Sequence, residues 1–99
     1  MKALAIDAYV IDVLLPDLVG HDRKPSAFLV YLYLLRRSRQ RNGRREVRES
    51  LQTIATRTGL SKSGVQSALR HLRRRGLLDA STVATTSDIT RVLVDPRQR

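Results

Sequence analysis

The residues best suited to chemistry lie between Lys62 and Arg75. Val65, Ala68, Leu69 and Leu72 recur at i, i+3, i+4 and i+7, the stripe of a helix turned toward a core. That spacing sets Lys62, Ser63, Gln66, Ser67, Arg70 and Arg74 on the opposite face. Two hydroxyls, an amide and three cations are able to hydrogen-bond base edges and phosphate oxygens. The alternative is an ordinary solvated face. Catalytic groups are harder to find. His21 stands in a loop beside Asp22 and His71 among arginines, and neither has a partner at triad or metal-ligand spacing. His71, between Arg70 and Arg73, reads as a phosphate neighbour or a plain surface residue. There is no Gly-rich phosphate loop. Neither an enzyme nor a cofactor is expected, and no metal site.

Charge supports a polyanionic partner. The chain carries 19 Lys plus Arg against 9 Asp plus Glu, a net of +10, and 16 of the cations are arginine. Residues 1–20 hold Lys2 against Asp7, Asp12 and Asp17, so the basic excess lies entirely in the remainder. Arginine grips phosphates and guanine edges in a bidentate fork that lysine cannot form. Single-strand and RNA readers stack bases on exposed aromatic platforms. Tyr9, Phe28, Tyr31 and Tyr33 are the only aromatics, three of them crowded in one helix, so duplex DNA is favoured. With no cysteine, disulfides, thiolate nucleophiles and Cys-based zinc sites are excluded. The longest uncharged apolar stretch, Ala27 to Leu35, is nine residues against the roughly 20 of a membrane span. No signal peptide is evident, and a cytoplasmic location is expected.

The elements that must position the polar face follow in order. Residues 3–19 are apolar, interrupted by three aspartates, and fit neither a 3.6-residue nor a 2-residue period. Pro16 divides them. They predict a short helix or extended arm that covers the core or makes a dimer contact. Asp22 is placed to cap a helix with Pro25 in its first turn. Phe28, Tyr31, Leu32 and Leu35 define its face, broadened by Leu29, Tyr33 and Leu34. Its end, Arg36, Arg37, Arg39 and Arg41, runs into the turn dipeptide Asn42-Gly43 and, with Arg44 and Arg45, forms a candidate phosphate cluster. Glu46 to Glu49 predicts one small strand. Ser50 and Ser61 read as N-caps of two helices separated by Gly59-Leu60-Ser61, and Gly76 ends the second. Leu77 to Ala84 and Asp88 to Val94 then predict a β-hairpin, with Thr85-Thr86-Ser87 as its turn. Asp95 to Arg99 reads as a loose basic tail.

The run from Ser50 to Leu78, SLQTIATRTGLSKSGVQSALRHLRRRGLL, resembles the core of bacterial winged helix-turn-helix regulators of the MarR and GntR type. It is similar also to helix-turn-helix domains of phage and plasmid replication proteins. The resemblance rests on Ile54-Ala55, Thr58-Gly59-Leu60-Ser61, Val65, Leu69 with Leu72, and Arg75-Gly76-Leu77-Leu78. It implies a mainly α fold with a small β-hairpin (α+β), a three-helix winged core with an N-terminal helical or extended segment. Residues 1–20 would be that segment, 21–95 the winged domain and 96–99 the tail. It further implies that helix 62–75 reads the major groove, with Ser63, Gln66, Ser67 and Arg70 on base edges and Lys62, Arg73 and Arg74 on phosphates. Arg36, Arg37, Arg44, Arg45 and Arg91 complete the expected phosphate set. Gly64 is expected to permit a close approach to DNA or a neighbouring helix. The wing departs from the family pattern, because Arg91 is its only cation.

A double-stranded DNA-binding regulator follows as the expected function, with no small-molecule effector evident. It would be a homodimer joined through residues 3–19, since one recognition helix covers few bases. An origin-binding replication or partition factor and a protein-interaction module are the rival readings.

Overall fold

The computed structural model describes residues 2–79 and 90–98. The apolar N-terminal segment forms two abutting helices with wide, π-type turns, Val10–Leu14 and Pro16–His21. Their hydrogen bonds reach five residues back, as from Leu15 N to the Val10 carbonyl and Asp22 N to the Asp17 carbonyl. Pro16 opens the second helix, where its missing N–H costs nothing. Val10, Leu14 and Leu18 are buried at every fourth position. A four-residue repeat suits widened turns, and neither of the usual periods describes it. These three side chains join the core, while Ile11, Val13 and Val19 remain exposed.

Helix α1 spans Pro25–Arg37 with Pro25 in its first turn. Its N-cap is Lys24, not Asp22, and no side chain caps it; the Asp22 carboxylate is used elsewhere. The buried face is Ala27, Phe28, Val30, Tyr31 and Leu34, rotated from the expected one. Leu32, Tyr33 and Leu35 are half-buried, and Leu29 is 49% exposed. The rotation follows from having neighbours on two sides: α1 packs against both the second N-terminal helix and the later helix-turn-helix.

Asn42 and Gly43 have φ of 51° and 74°. Two successive left-handed residues make a tight turn whose twist matches paired strands, so a hairpin forms: β1, Arg39–Arg41, and β2, Arg44–Arg48. Strand β1 departs from the sequence expectation, in which Arg39 and Arg41 belong to the end of the preceding helix, because its residues lack the apolar alternation of a strand. Strand β3, Thr90–Leu93, adds antiparallel to β2, giving the sheet order β1-β2-β3. Leu78 bridges to Leu93, and Asp79 N donates to the Val92 carbonyl at 2.9 Å. The chain after Gly76 thus begins the expected wing against β3. The rest of that strand, and the turn at 85–87, lie outside the described residues.

Helices α2, Leu51–Thr58, and α3, Lys62–Arg74, complete the fold. Ile54, Val65, Ala68, Leu69 and Leu72 join Leu14, Leu18, Leu34, Val47 and Leu77 in one buried cluster. Each fully buried aliphatic side chain contributes about 1.5–3 kcal/mol. Near the C-terminus Arg97 donates to Asp7 at 2.8 Å and lies over the Tyr9 ring.

Candidate nucleic-acid interface

The helix-turn-helix is built by local capping. Ser50 Oγ accepts from Thr53 N at 3.1 Å and starts α2; Gly59, at φ 79°, ends it with its N–H on the Ala55 carbonyl. Two residues later Ser61 Oγ accepts from Gly64 N at 3.0 Å and starts α3 in a new direction. Such caps stabilise by about 1 kcal/mol each. A Cβ on Gly64 would lie 3.1 Å from Ser61 Oγ, so the crowding this glycine relieves is that of its own helix cap.

Helix α3 has three distinct sides. Val65, Ala68, Leu69 and Leu72 are buried. Lys62, Ser63, Gln66, Arg70, Arg73 and Arg74 are exposed and Ser67 is half-buried, as the apolar period requires. Ser63 Oγ lies 3.3 Å from Ser61 Oγ. Among the described residues Lys62, Gln66, Ser67, Arg70, Arg73 and Arg74 have no side-chain hydrogen bond or ion pair. Polar groups fixed on a rigid helix and left without internal partners are free to bind a ligand.

The third side is an acid-braced flank. His71 Nε2 donates to Asp22 Oδ2 at 2.7 Å, and the Arg75 guanidinium reaches both Asp17 and Asp22. The Asp22 side chain is 8% exposed and that of His71 12%. A hydrogen bond from His21, then those from His71 and the charge of Arg75, hold the Asp22 carboxyl below the ordinary carboxylate value against the opposing effect of burial. His71 therefore anchors the helix to the N-terminal segment instead of neighbouring a phosphate. Sequence spacing concealed the pair because the partners stand 49 residues apart. Asp17, His21 and Asp22 also bring one ligand-type atom each within 4.8 Å of one another. The positive charge in that cluster is supplied by Arg75.

The remaining cations divide in the same way. Arg37 Nε donates to Glu49 at 2.9 Å, beside the Tyr33 hydroxyl at 3.2 Å. Burial and the Glu49 charge raise the Tyr33 pKa. Arg44 lies 3.8 Å from Asp79, and Arg45 donates to Ser38 Oγ at 2.9 Å. Arg36 is exposed, as are Arg39, Arg41 and Arg48 on the strands. Arg41 stands directly across from Arg44, a like-charge pair that an anion would relieve. Arg91, expected as an accessible wing cation, is 3% exposed. It sits on the inner face of the sheet, opposite Val47, and donates from Nη1 to the Glu49 carbonyl at 2.8 Å.

Two capped helices joined by a glycine turn, backed by a third helix and flanked by a small antiparallel sheet, define a winged helix-turn-helix architecture. The helix-turn-helix domain family matches residues 24–78, more than half of the chain, and the chain belongs to that DNA-binding family. No curated protein and no solved structure matches it. No helix among the described residues is long and apolar enough to cross a membrane.

Proposed function

We propose that this protein is a sequence-specific, double-stranded DNA-binding regulator of transcription, acting in the cytoplasm with α3 in the major groove. The observation that carries the reading is the exposed face of α3: cations, an amide and hydroxyls without a carboxylate among them, held rigid by a buried apolar stripe. Ser63, Gln66, Ser67 and Arg70, nearest the helix start, are assigned to base edges. Lys62, Arg73 and Arg74 are assigned to phosphates, with Arg36 and, more weakly, Arg44 and Arg45. Arg37 is committed to Glu49 and is assigned to holding α1 against the start of α2.

A homodimer through the N-terminal segment accompanies this reading. Ile11, Val13 and Val19 remain exposed there, on the acidic part of an otherwise basic chain, where two copies meet least charge repulsion. Selection of duplexes from a random library tests the main claim. Enrichment of a defined site with two-fold symmetry is the expected result. Binding that is weak, unselective and insensitive to salt would instead favour a protein-interaction module. Sedimentation of Ile11→Ser/Val13→Ser tests the dimer, which should dissociate while the fold persists. An unchanged association state would remove the segment from the interface.

A further inference from the structure

Among the described residues, Arg91 is a buried cation without an anion. Its Nη1 is satisfied by the Glu49 carbonyl, but its Nε has no hydrogen-bond partner, and no carboxylate pairs with it among the described residues. Buried charges in proteins are ordinarily paired, because removing an ion from water is costly. The neighbours of Arg91 make matters worse. It lines a cleft of about 170 Å³ with Gln66, Arg70 and Arg73 of α3, walled by Leu51 and Leu69. Burial and the charge of Arg73 together push the Arg91 pKa down. Among the described residues, every polar side chain on the cleft can donate a hydrogen bond, and the walls are apolar. Such a lining fits an oxyanion and repels a cation.

We infer that this cleft, with Arg91 at its base and Arg73 at its side, is a seat for one tetrahedral oxyanion, which in the working protein is a backbone phosphate of the bound duplex. The identity of that phosphate rests on the DNA-binding reading; the existence of the seat does not. Gln66 and Arg70 stand both on the rim of the cleft and on the base-reading face. A phosphate held at Arg91 would therefore fix the register of α3 in the groove, which is how backbone contacts serve specificity. The position also explains how a wing almost devoid of cations contributes to binding. Its one arginine acts from the base of β3, under the recognition helix.

The test follows the Arg91 Nε–H resonance in the full-length protein, titrated with inorganic phosphate and separately with a duplex. Both ligands should move it, and Arg91→Gln, which removes the charge, should bind the duplex roughly tenfold more weakly. Its salt slope should be shallower by about one unit. Neutral methylphosphonate links scanned along the preferred duplex should weaken the wild type at one position per half-site. The Arg91→Gln protein should be indifferent to that position. If saturating duplex shifts the α3 amides but leaves Arg91 Nε–H unmoved, the seat is refuted and the DNA-binding reading stands. If inorganic phosphate moves Arg91 while no duplex shifts α3, the seat stands and the DNA-binding reading falls.

Discussion

The two flanks of α3 carry similar side chains and differ in what faces them. On one, His71 and Arg75 meet Asp22 and Asp17, brought in by the N-terminal helices. On the other, Gln66, Arg70 and Arg73 meet Arg91 and no carboxylate among the described residues. Arginine does opposite work on the two sides. Where an acid answers it, it fastens the helix to the fold; where none does, it raises a positive potential that only a ligand can neutralise. Composition could not distinguish these roles, since every cation counts equally toward the net +10.

Salt dependence is the largest expected effect. With about 6 phosphate contacts from the unpaired side, log affinity should fall against log salt with a slope near −5, roughly a thousandfold between 50 and 200 mM. The acid-braced side should contribute nothing to that slope. A slope below about −2 in magnitude would mean that the unpaired cations do not meet phosphates.

Next in size is the brace itself. Asp22→Ala leaves the buried His71 without its acceptor and Arg75 with Asp17 alone, and should destabilise by about 2–4 kcal/mol in urea unfolding. The same group sets a pH dependence. The fold holds the Asp22 carboxyl below its ordinary value, so the unfolded chain takes up that proton first on acidification. Its contribution is complete above about pH 5 and is lost as pH falls below about 4, through the folded-state value. Asp22→Asn should flatten the acid limb of the stability curve. If wild type and variant lose stability in parallel below pH 5, Asp22 does not carry the brace.

How much of this was legible beforehand depends on the range of the interaction. Caps at Ser50 and Ser61, the glycine stop at Gly59 and the stripe Val65-Ala68-Leu69-Leu72 are encoded within one or two turns, and the structure matches each. The exposed set from Lys62 to Arg74 followed from that stripe. The brace at Asp22, the pairing of Arg37 with Glu49 and the burial of Arg91 join residues 12 or more positions apart. Such partners depend on how the elements dock, which local periodicity does not contain. Strand β1 was missed for a different reason. Three polar residues carry no strand pattern, and the turn at Asn42-Gly43 alone imposes it.

A smaller effect separates reading from clamping on the unpaired side. Gln66→Ala and Arg70→Ala should each cost about 1–3 kcal/mol on the preferred duplex and relax selection at one position of each half-site. Quantitative binding to preferred and random duplexes checks this through their ratio. A ratio unchanged in both variants would make the helix only an electrostatic handle.

The smallest effects bear most directly on the comparison, because Arg74 and Arg75 are adjacent in sequence and fall on different sides of the helix. Arg74 is exposed and has no partner among the described residues; Arg75 is bound to Asp17 and Asp22. Arg74→Ala should leave stability within about 0.5 kcal/mol of wild type, as for most exposed positions. It should weaken preferred and random duplexes alike and make the salt slope shallower by about one unit. Arg75→Ala should do the reverse. Stability should fall by about 1–2 kcal/mol, because two carboxylates lose a shared donor at a half-buried site. The salt slope should stay within error, because that guanidinium was neutralised before any DNA arrived. Urea unfolding and a salt titration on the same pair of variants suffice. If both variants lose affinity equally and neither loses stability, the acids do not divert Arg75 from the duplex, and the two flanks of α3 are one basic surface.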